Sequence, residues 1–271
     1  MLRLLARVTS DELREATASG RAIAVVPIGS VEQHGPHGPL GTDAFCAEAV
    51  ARVVADELDA CLAPTLPYGE SSIHREFPGA IWLGPTTLTL VVRDLCLSLA
   101  DSGFAFLVLV NGHNTNLPSI LAGAREARLV RNVGIAATSY WEALRSDYRD
   151  LLPESSGEMP LRGFNAHGGI MEMSLCMFHA PGSVHMERAA AGDVHRAELI
   201  GDPTLTYVTM FQDYSPSGAF GDPTGSAPEL GERIARAAGG AIARRARLLQ
   251  DTFIRPVAAE HEPGRPRSAQ A

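Results

Sequence analysis

The stretch Ala22-Ile-Ala-Val-Val-Pro-Ile28, running directly into Gly29-Ser-Val-Glu-Gln-His-Gly-Pro-His-Gly-Pro-Leu-Gly-Thr-Asp43, decides how this chain is read. Its first part is apolar at every position, so a strand formed there needs cover on both faces. Its second part is rich in glycine and proline and carries Glu32, His34 and Asp43. Residues at i and i+2 of an extended segment point to one side, which pairs Glu32 with His34. Asp43 returns along a path set by Gly35, Pro36, Gly38, Pro39 and Gly41. Carboxylate, imidazole and carboxylate at close range are what a divalent cation takes as ligands. The plainer alternative is a surface turn with scattered polar groups, and residues elsewhere in the chain bear on the choice.

Working outward, apolar runs of strand length recur at 60–66, 105–110 and 133–138. Stretches with helical spacing lie between and after them, at 44–58, 89–101, 117–130, 170–178 and 230–250. The first of these places Ala47, Val50, Val54 and Leu58 on one face behind a Thr42/Asp43 cap. A further helix is expected over 9–19, capped by Thr9 or Ser10. Fully apolar strands alternating with helices predict an α/β fold, a three-layer αβα sandwich around a mostly parallel sheet. Sites in such sheets form beyond the carboxyl ends of the strands. The motifs beginning at Gly29 and Asn111 both follow strands at that end. We expect a single domain over 1–255. The Pro-, Arg- and Glu-containing segment 256–271 reads as a disordered C-terminal tail. Long polar connections at 150–166 and 213–228 are candidates for functional loops.

With 271 residues, 45% hydrophobic and 20% charged, the chain has the composition of a soluble globular protein. A net charge of −8 argues against a nucleic-acid surface. No segment approaches the roughly 20 apolar residues of a membrane span. The apolar run at the start is too short for a leader. Cys46, Cys61, Cys96 and Cys176 lie in apolar stretches with no CxxC pair. They read as reduced, buried thiols, which points to the cytoplasm.

Two further motifs carry candidate chemistry. Asn111-Gly-His-Asn-Thr-Asn116 ends an apolar run. A lone His113 there would read as a satisfied core histidine, but three asparagines and Gly112 crowd it and favour a site. In Asn165-Ala-His-Gly-Gly-Ile-Met-Glu-Met-Ser174, Glu172 sits on a helix whose neighbours are nearly all apolar. Burying that carboxylate is costly unless it is paired or binds a metal. His167 could exchange a proton near neutral pH. The stretch Gly69-Glu-Ser-Ser-Ile-His-Arg-Glu-Phe-Pro-Gly79 offers Ser71, Ser72 and His74, and Tyr140-Trp141 offers aromatics for core or pocket. HExxH, GxSxG and Walker patterns are missing. That counts against a helix-based zinc protease, a serine hydrolase and a nucleotide-binding enzyme.

The motifs at 29–43, Phe77-Pro78-Gly79, 111–116, Ser139-Tyr140-Trp141 and 167–174 resemble, in the same order, those of the creatininase family, the creatinine amidohydrolase-like proteins. The resemblance implies a three-layer αβα fold, a dinuclear metal centre, hydrolysis of C–N bonds in cyclic or linear amides, and hexamers. By position, Glu32, His34, Asp43 and His113 match metal ligands, with Asp43 as the bridge. The family's creatininase has a ligand Glu two residues after the matching histidine, where this chain has Thr115. Glu172 is then the remaining carboxylate for the second metal. His167 matches the proton-transfer residue and Trp141 an aromatic of the substrate pocket. A second tryptophan of creatininase is replaced by Gly163, with Phe164 beside it. These departures separate the chain from creatininase proper. Other members act on formamides, precursor peptides or modified sugar rings.

The expected function is therefore a metal-dependent amidohydrolase that cleaves a lactam, formamide or similar amide with water activated between two divalent ions. Zinc is the first expectation, and manganese or iron suits the same donors. His167 would move a proton to the leaving nitrogen, while His74, Asn114 and Trp141 would orient the substrate. The alternatives are a creatininase-family metallopeptidase acting on a modified peptide and a non-hydrolytic metal-containing binding protein. Expected partners are a small-molecule amide and further copies of the chain in a homo-oligomer, with neither nucleic acid nor membrane.

Overall fold

Successive residues of the two central strands send their side chains to opposite helical layers, and this alternation builds the molecule. The computed structural model describes residues 3–144, 151, 167–190, 192 and 208–254. Apart from Leu151, the connection at 150–166 with Gly163 and Phe164 lies outside the described residues, as does the tail at 256–271. In chain order the main elements are β1 (Arg3–Leu4), α1 (Ser10–Thr17), β2 (Ile23–Ile28), α2 (Thr42–Glu57), β3 (Cys61–Leu62) and α3 (Pro85–Asp101). There follow β4 (Phe106–Asn111), α4 (Asn116–Val130), β5 (Gly134–Ser139), α5 (Ile170–His179) and α6 (Pro228–Phe253). The strands form one sheet in the order β1-β3-β2-β4-β5, and every pairing is parallel.

Ile23 and Val25 of β2, with Phe106, Val108 and Val110 of β4, pack under α2, α5 and α6. Ala24, Val26 and Ile28, with Leu107 and Leu109, pack under α3 and α4 on the other face. Both strands are buried along their whole length, as their apolar sequences require. The expected three-layer αβα sandwich is thus the observed fold.

The chain runs from β2 outward to β3 on one side, then crosses to β4 on the other. The winding reverses between β2 and β4, which opens a crevice at their carboxyl ends. The first turn of α2 is pressed into that crevice. A Cβ on Gly112 would lie 2.1 Å from the carbonyl oxygen of Asp43, so only glycine lets the end of β4 meet α2.

Some local expectations are corrected. Helix α2 begins at Thr42 with Gly41 as its N-cap and no side-chain cap, so Thr42 and Asp43 do not cap it. The Thr42 hydroxyl donates instead to the Pro39 carbonyl at 2.7 Å, and the Asp43 carboxylate is turned to imidazoles. The strand expected over 60–66 is only Cys61–Leu62, with Leu66 returning as a single bridge to Ile28. Pro64 has no N–H with which to continue the ladder. Helix α1 is capped by Thr9 in a reciprocal box with Glu12. All four cysteines are free and buried. Among the described residues no helix is long and apolar enough to cross a membrane.

Replacing Gly112 by Ala should destabilise the protein by about 1–3 kcal/mol, the usual cost of forcing volume into a packed contact. A lowered urea midpoint with an unchanged slope would show it, and an unchanged midpoint would show that α2 can retreat freely.

Candidate metal centre

Five segments deliver charged or titratable side chains to the crevice. The loop after β2 folds back on itself: Glu32 N–H donates to the Leu40 carbonyl at 2.9 Å and Gly38 N–H to the His34 carbonyl at 3.2 Å. That turn leaves Glu32 and His34 pointing inward, both wholly buried. Asp43 comes from the first turn of α2, and His113 from the loop after β4. His74 ends a short turn at Ser72–His74. His167 precedes α5, and Glu172 stands in its first turn. Glu32, His34, Asp43, His74, His113 and Glu172 are each no more than 5% exposed.

The side chains fall into two groups joined by Asp43. In one, His34 Nε2 lies 3.2 Å from Asp43 Oδ1 and 3.6 Å from Glu172 Oε2. In the other, His113 Nδ1 lies 3.1 Å from Glu32 Oε1 and 3.2 Å from Asp43 Oδ2. His74 Nε2 approaches Glu32 Oε1 to 3.2 Å and His167 Nδ1 approaches it to 3.8 Å. Among the described residues, sets of three donors close enough to hold one ion are Glu32–His74–His113, Glu32–His34–His167 and His34–Asp43–Glu172.

The far side of each ring says what the near side can do. His34 Nδ1–H donates to the Glu32 carbonyl at 3.2 Å, and His113 Nε2–H to the Glu70 carbonyl at 3.0 Å. In the neutral rings, the nitrogens facing the carboxylates are therefore bare lone pairs. Glu32 Oε1 and Asp43 Oδ2 are buried without a hydrogen-bond partner. Lone pairs set against unpaired carboxylate oxygens repel unless a cation stands between them, either a proton or a metal ion. The donor set, carboxylate and imidazole with fixed outer hydrogen bonds, fits divalent ions of the zinc and manganese kind.

Electrostatics report the same demand. Burial opposes charge on His34, but the Asp43 and Glu172 carboxylates outweigh it and raise the ring to about 10. Burial likewise opposes charge on His113, and Glu32 and Asp43 overcome it. Burial pushes Glu172 up to about 8 and also raises Glu32, against the pull of His34 and His113 respectively. For Asp43 burial is overcome by His34 and His113, which hold it well below the usual carboxylate range. Burial drives His74 down to about 2 and keeps His167 well below an ordinary histidine, with neighbouring imidazoles adding to both.

The sequence-expected residues meet with two exceptions, Asn114 and Trp141. Asn114 is exposed, whereas Asn111 and Asn116 tie the loops together. Asn111 Nδ2 donates to the His113 carbonyl at 2.6 Å, and Asn116 Nδ2 to the Gly29 carbonyl at 2.9 Å. Trp141 packs edge-on against Tyr140, 5.1 Å between ring centroids, and on the α2–α5–α6 layer. Thr115 turns its hydroxyl to the Glu70 carbonyl and the outer nitrogen of His113, away from the carboxylates. Glu172 stands instead beside His34 and Asp43.

Several residues at the centre escaped the sequence reading. Ser30 Oγ donates to Glu32 Oε2 at 2.9 Å, and His37 Nε2–H to the Gly168 carbonyl at 2.7 Å, holding the turn that leads from His167 to Glu172. Phe211 lies against His74 and His167, with ring centroids 4.3 and 4.5 Å away, and stacks on Phe220. Aromatics isolated in the polar stretch after 208 were the one signal for that wall. Two surface grooves flank β5 and α6, and none of the clustered residues lines either.

Fold and site together define a class: a doubly wound α/β protein with a buried carboxylate–imidazole cluster at the switch point of its sheet. The family model described as creatinine amidohydrolase matches residues 6–246, and the chain belongs to the creatininase family, hydrolases of carbon–nitrogen bonds. It is 35% identical over 243 residues to the mycofactocin precursor peptide peptidase of Mycobacterium tuberculosis, covering 85% of each chain. It is 31% identical over 194 residues to the creatinine amidohydrolase of Pseudomonas putida, covering 67% of this chain and 73% of the other. A manganese creatininase and a mutant creatininase of zinc–zinc type each superimpose with a TM-score of 0.79 at 26% identity, over 94% of this chain and 100% of theirs.

His34 holds a proton below about pH 10 before any ion binds, and an ion must displace it. Zinc uptake should therefore release protons, and affinity should rise with pH by about tenfold per unit for each proton displaced. Calorimetry in buffers of different ionisation enthalpy measures the release. Uptake with no proton release between pH 7 and 8 would show that the ion does not displace the His34 proton.

Proposed function

We propose that this chain is a metal-dependent peptidase of the creatininase family, hydrolysing a C–N bond in a peptide with two divalent ions held by Glu32, His34, Asp43, His113 and Glu172. The observation that carries the reading is the pair of unpartnered buried oxygens, Glu32 Oε1 and Asp43 Oδ2, facing the inner nitrogen of His113. Bound there, the ions supply Lewis acidity, which polarises a carbonyl and lowers the pKa of water. Zinc and manganese are supported by the creatininases of like fold.

The chain's own residues divide the rest of the work. Asp43 offers one oxygen to each group, which suits a bridge. Its place in the first turn of α2 favours its negative charge. His167 donates its outer Nε2–H to the Gln33 carbonyl at 2.7 Å, leaving Nδ1 free to take up a proton and pass it to the leaving nitrogen. Phe211 and Phe220 close one side of the imidazoles against water. A peptide is preferred to a small amide because the similarity to the precursor peptide peptidase runs over 85% of both chains. A lactam or formamide is the second reading, favoured by the likeness to creatinine amidohydrolase. A cytoplasmic homo-oligomer accords with the free cysteines and with the exposed Ile81 and Trp82 beside the site loop.

The test is a screen of zinc- and manganese-loaded protein against short peptides, lactams and formamides, reading released amine. Peptide cleavage is expected; turnover confined to lactams or formamides would overturn the peptide assignment. Asp43→Ala should lose both ions and all turnover, and two retained ions by elemental analysis would refute the bridge. His167→Asn should keep both ions and lower kcat by about 10²–10⁴-fold.

A further inference from the structure

Four imidazoles surround Glu32 and Asp43, and His74 is held differently from the rest. His34, His113 and His167 each use the outer ring nitrogen to donate to a main-chain carbonyl. A carbonyl only accepts, so in a neutral ring the inner nitrogen is bare. The outer nitrogen of His74, Nδ1, instead meets the side-chain amide of Gln33, with Nε2 at 3.0 Å.

The Gly35 N–H, shared with the Gly218 carbonyl at 3.1 Å, sets which way that amide faces. Gln33 Oε1 accepts the Gly35 N–H at 3.0 Å. Gly218 closes on the same oxygen so tightly that a Cβ there would lie 2.1 Å from it. The NH2 end of Gln33 therefore faces His74 and donates to it. A proton on His74 Nδ1 would clash with that donor, so the ring's proton sits on Nε2, the nitrogen facing the centre. A nitrogen carrying hydrogen has no lone pair for a metal. Phe211, 4.3 Å from the ring, keeps His74 from swinging away. Glu32 Oε1 is 3.2 Å from Nε2 yet out of line to accept from it, since that oxygen has no hydrogen-bond partner. The N–H is left for an oxygen brought from outside.

We propose that Gln33 fixes His74 as the N–H donor of the centre, directed at the carbonyl oxygen of the substrate as it gains charge, and that His74 is not a ligand to either ion. The donor assignment stands on hydrogen bonds alone, while donation to a substrate oxygen rests on the hydrolase reading above. Distance by itself would group His74 with Glu32 and His113 as a third ligand. The direction of the Gln33 hydrogen bond argues against it.

Nitrogen-15 labelling of the histidines tests this, with the His74 signals assigned by their loss in His74→Asn. Long-range proton–nitrogen spectra of the wild-type chain should show His74 protonated at Nε2 and bare at Nδ1. Added zinc should shift the inner nitrogens of His34 and His113 as ligands and leave His74 Nε2 protonated. In Gln33→Glu the carboxylate can only accept, so the proton should move to Nδ1. The zinc-loaded variant should then lose about 10²–10³-fold in kcat, the usual cost of one oxyanion donor, with its two ions kept. Should that variant fold poorly, His74→Asn and His74→Phe form a second pair, with partial kcat restored only in the variant that can donate. A wild-type His74 bare at Nε2, or one that zinc deprotonates, overturns the proposal, and so does full kcat in folded Gln33→Glu. The spectra need no substrate. The expected tautomer in a chain that hydrolyses nothing would count against the hydrolase reading alone.

Discussion

The carboxylates Glu32, Asp43 and Glu172 are sealed beneath the carboxyl edge of the sheet, almost out of reach of water. Unpaired, each would be expensive to keep ionised. The surrounding structure answers that cost with imidazoles, main-chain groups and a place for cations. Asp43 is the joint of the arrangement because its two oxygens face different histidines. Shifting it by an ångström would leave both groups incomplete, which is why the closeness of α2 to the end of β4 matters so much.

A second tier of contacts holds those side chains from behind. Asn111 closes the turn on His113, and Asn116 ties that turn to Gly29 after β2. The Glu70 carbonyl orients His113, and His37 anchors the turn between His167 and Glu172. Gly168 N–H donates to Glu172 Oε2 at 2.8 Å, so the same turn also sets a carboxylate. Orientation of this kind gives a metal ligand its basicity and its angle. Thr115 is spent on bracing His113, and Glu172 brings its carboxylate to His34 from α5.

Much of the architecture was legible because its causes are local or periodic. The apolar runs of β2 and β4 announce strands covered on both faces. Glu172 among Ile170, Met171, Met173 and Leu175 announces a carboxylate that needs a partner. Elsewhere local reading failed for identifiable reasons. Pro64 cuts short a run whose composition looks like a strand. Thr42 and Asp43 have the chemistry of caps, but their side chains have stronger calls on them from Pro39 and His34. Asn114, alike in type to Asn111 and Asn116, faces solvent because it sits on the outside of its turn.

By itself, then, the sequence determined the layer architecture, the types of the clustered side chains and the end of the sheet where they gather. Hydrophobic periodicity and the cost of burying charge act through neighbours along the chain. Tertiary structure alone decided which oxygen faces which nitrogen, which ring nitrogens carry protons, and that Phe211 covers two histidines. Those outcomes depend on hydrogen-bond partners from distant segments, such as Gln33 against His74 or Gly168 against His37. No residue type encodes them, because an imidazole becomes a ligand or a donor only when another part of the fold chooses its tautomer.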